Sequence, residues 1–586
     1  MLSTAEHIKQ ICATFVQSLG IDDSENLFFE VDITKDMTKG DLYTNLPFVL
    51  SKKLTKSPIA IAIDLHTYLE NNLDRVQVEK VEVAGGYVNF WVNSALKEIP
   101  QIITHPDFTG KKLIFDYTDP NPMKEFHIGH LMSNTIGESV VRLAELGGAE
   151  VKRYSYQGDV GRHIATTIWG LQFTEGNWPD DEKISLTDKV KYLGAAYVAG
   201  NTRLTTLKEK GENSAEYLAA LQEINDVNKQ IYDRSDAEIN KVYDEGREWS
   251  LEKFEELYKI LGTKFDFYFF ESKSGPLGIE MVKAHPEIFV VGEEGAIIFE
   301  GEKYGLHTRV FINKFGLPTY EGKEMALIKM KWDVWPFDRS YVITGNEQDT
   351  AFHVTTKAAA LIMPETEGKV FHIGHGMMKF AGAVKKISSR TGNITAGDVL
   401  VEQMTQASFE KMKERPIDED KKHDIGEAVG VAAIKFTILK QNIRKDIIFD
   451  PEKALALEGD SGPYVQYTAV RIKSLLRKAE EALKSGATPT TETAIVPEAM
   501  MLQRTLMRFE HACFQAIGEM APQHVAQYLI ELTSRFNSFY TNTKIMHTDE
   551  AGKITVNTQL VEICKATLVV IERGLQTLGI RTIEQM

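Results

Sequence analysis

The segment from residue 111 to 157 constrains the fold more than any other. The strand-like run "KKLIFDYT" passes through the loop "DPNPMKEF" into a helix starting near Gly129, whose Leu131, Ile136, Val140, Leu143 and Ala144 recur near a 3.6-residue period before Gly147 and Gly148. "AEVKRYSYQGD" then returns as a strand. Strand, crossover helix and strand make one βαβ step, which requires a parallel sheet. A second βα step follows much later at "RSYVITGNEQDTAFHVTTKAAALI". Two separated βα halves predict an α/β fold with a Rossmann-like doubly wound sheet, whose ligand crevice opens at the carboxyl ends of its strands. The word "FHIGH" sits in the turn of the first step, so its imidazoles fall at a helix N-terminus, where unpaired N–H groups attract anions. Gly129 there lets a ligand approach the backbone.

A chain of 586 residues exceeds one compact core. Residues 1–105 mix "AEHIKQICATFVQSLG" and "NLPFVLSKKLTKSP" with the strand "GYVNFWVN", as a small α+β domain. Residues 106–455 carry the βα steps, interrupted at about 172–260 by charged sequence of helical period, which reads as a helical insertion. Residues 456–586 repeat apolar helical stripes, as in "YVQYTAVRIKSLLRKAEEAL", and predict an all-α helix bundle.

Composition excludes several classes. No apolar run approaches the ~20 residues of a membrane span, and "MLSTAEHIKQICATF" resembles neither a secretion signal nor an organelle presequence, so a cytoplasmic protein with no membrane partner is expected. Cys12, Cys513 and Cys564 are too far apart for a CxxC or Cys/His metal motif, which predicts no zinc and no protein metal site. The formal charge of −16 argues against a generally basic nucleic-acid binder but leaves room for a local basic groove.

"FHIGH" recurs in "KVFHIGHGMMKFAG", which reads as two short strands around a glycine turn with no helix following. The second copy is therefore expected to be a coincidence of strand-forming residues. The first copy has company. "DPNPMKEFHIGHL" followed by "KKISSRTGN" resembles the HIGH and KMSKS signatures of class I aminoacyl-tRNA synthetases. "GDLYTNLPFVLSKKL", "TYEGKE", "GNEQ" and "GPYVQYTAVRIKSLLRKA" through "RFNSFYTNTKI" make nearly the whole chain similar to the arginyl-tRNA synthetase family.

The resemblance implies an arginine–tRNA ligase that uses ATP, with Mg²⁺ carried by ATP, and takes arginine and tRNA(Arg) as partners; a monomer is expected. In this reading His127 and His130 contact the nucleotide phosphates, with Gly129 and Gly345 leaving room for adenosine. Read in register, Lys386, Ser388 and Ser389 belong to the second signature, where serine replaces its second lysine. Lys124 is the expected substitute cation, with Lys386 as the other and Arg390 in reserve.

A guanidinium calls for carboxylates in bidentate geometry. The family's Y-x-x-x-D element falls on Tyr320 and Glu324, an aspartate-to-glutamate change. Some relatives carry a second acid five residues before the loop asparagine, and that position is Asp116. A reciprocal exchange is expected, Glu324 reaching further while Asp116 retreats. Asn121 and Gln348 resemble the pair that binds the α-amino group. Asp159, in a loop where His163 replaces the family's glutamine, is expected to support structure only. For tRNA the bundle offers Tyr464, Tyr467 and Arg471, then Phe536, Phe539 and Tyr540, as base-stacking and phosphate-tracking residues.

Overall fold

A computed structural model describes residues 2–21, 27–34, 36–74, 77–93, 103–381, 396–491, 497–550 and 552–586, in two units. In the first, α1 (Leu2–Ser18), α2 (Leu46–Leu54) and α3 (Pro58–Asn72) accompany an antiparallel sheet of order β1-β2-β4-β3. Its strands are β1 (Val31–Ile33), β2 (Leu42–Thr44), β3 (Val78–Ala84) and β4 (Tyr87–Val92). Val88 and Phe90 of β4 pack with Phe15 and Leu65 in its core. Residues 468–515 and 527–574, expected in a separate bundle, group with these N-terminal residues. Buried Asp41 accepts Arg504 at 3.4 Å within this unit.

The second unit holds the predicted sheet. Strands β5 (Lys112–Asp116), β6 (Glu150–Gln157) and β7 (Phe267–Phe270) run to one side, and β11 (Arg339–Gly345) and β12 (Val370–His375) to the other. All neighbours are parallel in the order β12-β11-β5-β6-β7. The chain direction across the sheet therefore reverses between β5 and β11, the place where an open α/β sheet binds its ligand. β5 is buried from Leu113 to Asp116, as a strand covered on both faces must be.

Between β5 and β6 lies α4 (Ile128–Leu146), and α5 (Arg162–Gly170) follows β6. The helical insertion is α6 (Leu186–Lys210), α7 (Ala215–Asp233) and α8 (Ala237–Leu261). After β7 come α9 (Glu271–Ala284) and a small antiparallel sheet of β8 (Phe289–Val291), β9 (Ile297–Phe299) and β10 (Arg309–Ile312). α10 (Tyr320–Val334) precedes β11, and α11 (Asp349–Ile362) joins β11 to β12. The unit continues through β13 (Met378–Phe380), α12 (Gly397–Met412), α13 (Glu419–Leu439) and β14 (Ile447–Phe449), which pairs with β13.

The apolar stripe expected of α4 understates its environment. Ser133, Asn134, Glu138 and Ser139 are buried as well, because the sheet covers one side of the helix and α12 and α13 pack on it too. Gly137 permits this closeness: a Cβ there would lie 2.3 Å from the Tyr117 ring. The last residues of the chain reach the same helix. Arg142 donates to the Gln576 carbonyl at 3.0 Å and to the Gly262 carbonyl at 3.1 Å. Buried Lys435 donates to the carbonyls of Leu261 and Gly579 at 2.6 and 2.7 Å.

The remaining helices are α15 (Gly462–Lys484), α16 (Pro497–Met507), α17 (Phe509–Glu519), α18 (Gln523–Asn542) and α19 (Thr558–Thr577), after the one-turn α14 (Pro451–Ala454). A three-stranded sheet of β15 (Thr488–Thr490), β16 (Met546–Thr548) and β17 (Ile554–Asn557) accompanies them, too short to show in apolar periodicity. Among the described residues no helix is long and apolar enough to cross a membrane.

Candidate active site

The loop after β5 is strained where the chemistry is expected. Thr118, Asp119 and Met123 have φ of 84°, 46° and 57°, a region that costs a non-glycine residue about 1–3 kcal/mol. Hydrogen bonds over-determine the shape. Ser133 Oγ accepts the Thr118 N–H at 2.9 Å and donates to the Ile343 carbonyl of β11 at 2.8 Å. Asn134 donates to Thr118 Oγ1 at 2.9 Å, and Asp119 accepts the Tyr156 N–H at 2.7 Å. The insertion holds the far end: Ser250 of α8 accepts the Met123 N–H at 2.9 Å. Lys124 lies 5.4 Å from the centre of the Tyr197 ring of α6.

His127 is the N-cap of α4 and His130 its third residue, and they cap each other. His130 Nδ1 accepts the His127 N–H at 3.1 Å, and His127 Nδ1 accepts the His130 N–H at 3.3 Å. The rings stack with centroids 3.5 Å apart and planes 15° apart. Burial, with Lys124 nearby, pushes His127 down to about 4, and burial with His127 and Lys124 drives His130 well below its usual range. Both rings are thus neutral at pH 7. Because each Nδ1 accepts, the ring proton sits on Nε2. The pair offers two N–H donors beside the positive end of a helix, with no charge of its own. Gly129 lies between them, where a Cβ would stand 3.0 Å from the His127 ring.

A cavity of about 350 Å³ opens at the switch point. His127, Gly129 and His130 line it from α4, Thr118 and Asp119 from the strained loop, and Thr344 and Gly345 from β11. His375, from the second "FHIGH", lines it too. Its strands form as expected, but parallel pairing sets His375 opposite Gly345 and so carries it to the same crevice. Lys386, Ser388, Ser389 and Arg390 lie outside the described residues.

Behind the cavity stands an acidic cluster. Asp116 at the end of β5 and Glu324 on α10 are 1% and 5% exposed, and the charge of Asp116 disfavours ionisation of Glu324. Burial first, then Asp116, pushes Glu324 up to about 8; burial pushes Asp116 up to about 6 against the pull of Lys331. Three members escaped sequence reasoning. Asp119, read only as part of the loop, lines the cavity, whereas Asp116 does not. Glu271 follows β7 directly, is raised by burial and accepts Lys323 at 2.7 Å. Lys331 is 1% exposed and donates to Ser340 at 3.1 Å. Only the fold brings these together, although Asp116 closing β5 and Glu271 directly following β7 put an acid at two strand ends, which was a usable signal.

Tyr320 opens α10 and keeps 36% of its surface exposed. Gln348 is the N-cap of α11, just past β11. Asn121 Oδ1 lies over Gly158, 2.2 Å from where a Cβ would be. His163 contacts the Gly158 carbonyl through Nε2 at 2.7 Å, and burial pushes it down to about 4. Asp159 accepts the N–H and hydroxyl of Ser272 at 2.9 and 2.8 Å and Arg247 at 3.0 Å, so it fixes the backbone beside Glu271.

The expected tRNA residues separate by burial. Phe536 and Phe539 are fully buried core residues, which corrects their reading as stacking surfaces: the apolar stripe that exposes Tyr540 by 39% turns them inward. Arg471 donates to Asn537 at 2.6 Å and lies 5.5 Å from the Tyr540 ring centre. Tyr464 and Tyr467, at the start of α15, are half-buried.

Comparison with known proteins agrees with this geometry. Residues 92–451 match the family "tRNA synthetases class I (R), catalytic domain", residues 465–586 the "DALR anticodon binding domain", and residues 4–92 the "Arginyl tRNA synthetase N terminal domain". The arginine–tRNA ligase of Clostridium perfringens is 27% identical over 92% of this chain and 93% of its own length. That of Fusobacterium nucleatum is 29% identical over 96% and 97%. The arginyl-tRNA synthetase structure from Thermus thermophilus superposes with a TM-score of 0.77 at 22% identity, covering 99% of this chain and 100% of its own. A catalytic-domain match spanning well over half of the 586 residues, set on a doubly wound sheet with a histidine-capped helix at its switch point, places the chain in the class I arginyl-tRNA synthetase family.

Proposed function

We propose that the chain is an arginine–tRNA ligase whose switch-point cavity forms arginyl adenylate. The observation that carries this reading is the neutral His127–His130 pair at the head of α4, facing β11 across the cavity with buried carboxyls behind it. An oxygen of the arginine carboxylate attacks the α-phosphorus of ATP, the bond to the bridging oxygen breaks, and pyrophosphate leaves. Mg²⁺ enters with ATP. Negative charge grows on the phosphoryl oxygens, and donors held rigidly at the positive end of a helix stabilise it without reorganising. Lys124 and Lys386 supply the cations, and Ser388 and Ser389 belong to the same phosphate side. A hydroxyl of the terminal tRNA ribose, the 2′-hydroxyl in this class, then attacks the arginyl carbonyl and AMP departs.

Glu324, Asp116, Asp119 and Glu271 surround the guanidinium, while Tyr320, Asn121 and Gln348 orient the amino acid. Asp116 works from behind Asp119, so Asp116→Asn raises the KM for arginine about tenfold, the size of losing one charge-assisted interaction. Steady-state kinetics check this, and an unchanged KM removes Asp116 from the pocket. Tyr464, Tyr467 and Arg471 serve tRNA binding, and within its own unit Arg471 lies beside the part-exposed Tyr540 ring.

ATP–pyrophosphate exchange with each amino acid, with and without tRNA, tests the whole reading. Exchange with arginine when tRNA is added is the expected result. Exchange driven by a different amino acid, or none under any condition, overturns it.

A further inference from the structure

The second "FHIGH" contributes more than His375. His372 of β12 contacts Thr344 Oγ1 through Nε2 at 2.8 Å and Asp349 Oδ1 through Nδ1 at 2.5 Å. The other Asp349 oxygen accepts Arg444 at 3.3 Å. Phe352 stacks on the imidazole, with centroids 4.6 Å apart and planes 6° apart, so the ring cannot turn freely. Gly374, two residues on and on the same strand face, leaves the space: a Cβ there would stand 3.2 Å from Asp349 Oδ1 and 2.6 Å from Asn346 Oδ1. His372 and Gly374 of this copy thus each have a place in one arrangement.

The chemistry of the chain Asp349–His372–Thr344 has one solution. An ionised Asp349 only accepts, so His372 carries its proton on Nδ1. Burial, outweighing Asp349, keeps the ring below its ordinary range and therefore neutral at pH 7. Its Nε2 is then a lone pair, and the Thr344 hydroxyl must donate to it. Thr344 lines the cavity, and its remaining lone pairs accept.

We propose that His372 and Asp349 are positioning residues that fix the Thr344 hydroxyl as a hydrogen-bond acceptor toward a donor group of the bound nucleoside, either a ribose hydroxyl or the adenine amino group. The inference rests on the cavity taking ATP, as the ligase reading requires. Thr344 meets a donor and refuses a bare acceptor. Asp349→Asn reverses this: Arg444 holds the amide oxygen, so the amide N–H donates to Nδ1, the imidazole proton moves to Nε2, and Thr344 is forced to accept from the ring and turn its own proton outward.

Calorimetric binding of ATP, 2′-deoxyATP, 3′-deoxyATP and purine riboside triphosphate to the full chain separates the sources. Thr344→Val weakens ATP binding about fivefold to tenfold, Thr344→Ser restores it, and Asp349→Asn reproduces the loss with Thr344 in place. One analogue, the one lacking the partner group, binds Thr344→Val and the unaltered chain equally, closing a double-mutant cycle that general loosening would not produce. Equal losses for all four nucleotides, or ATP binding unchanged in both Thr344→Val and Asp349→Asn, overturn the inference. Arginine-dependent exchange by the unaltered chain is run alongside. Its absence, with the Thr344 pattern intact, overturns the ligase reading and leaves this inference standing.

Discussion

Replacing His130 with alanine lowers the rate of arginine-dependent pyrophosphate exchange by about 100- to 1000-fold, the usual effect of removing one preorganised donor from a site of developing charge. The loss is larger than for an exposed histidine because the donor costs nothing to arrange. His127 already holds the ring by stacking at 3.5 Å, and the His127 N–H already fills Nδ1. Alanine also strips the cap from the His127 N–H, which costs about 1 kcal/mol of stability. Urea denaturation separates the two effects, since a stability change of that size leaves the chain folded. A rate within a few fold of the unaltered chain would remove His130 from the phosphate site. His130→Asn is the informative companion: it keeps an acceptor near Nδ1 but loses the distal N–H, so it recovers stability and not rate.

Glu324→Gln raises the KM for arginine about 100-fold, because truncating one charge of a buried ion pair costs about 2–5 kcal/mol. The amide keeps the volume, so the change reports charge. The same residue sets a pH dependence. In the arginine-free chain burial and Asp116 hold Glu324 up at about 8, so near neutrality it is largely protonated, while a guanidinium needs it ionised. Arginine binding therefore expels a proton, and the KM for arginine falls as pH rises from 6 to 9. The sign for folding is opposite. A carboxyl whose folded value lies above its unfolded one binds more protons when folded, so its contribution to stability is present below about pH 4.5 and is lost as pH rises to about 8. Denaturation of the arginine-free chain at pH 5 and pH 8 checks this; a KM flat with pH in the unaltered chain would contradict the assignment of Glu324.

The βα step around "FHIGH" was legible because strand, turn and helix signals are local and agree with one another. The first copy is placed at a helix N-terminus by its local pattern alone, and Gln348 falls just past its strand as expected. What escaped was created by pairing across the sheet. Nothing near Glu271 announces Asp116, and Lys331, on a helix with almost no amphipathic asymmetry, reads as a solvated charge until the fold buries it. His372 and His375 depend on the register of β12 against β11: one residue of slip would turn them to opposite faces and away from Thr344 and Gly345. Reading the second copy as a bare strand was right about its shape and missed what its neighbour brings.

Arg142 and Lys435 grip the end of the chain by its carbonyls, at Gln576 and Gly579, and not by its side chains. That stretch is therefore measured like a ruler: substituting the exposed Gln576 leaves its carbonyl in place, while insertion or deletion of a single residue shifts every graduation. A misplaced carbonyl would take from the buried Lys435 ammonium one of its two carbonyl acceptors and leave it that of Leu261, on the helix packed behind the one that carries His127 and His130. Length, besides the buried Leu575, Leu578 and Ile580, is what this part of the sequence has to preserve.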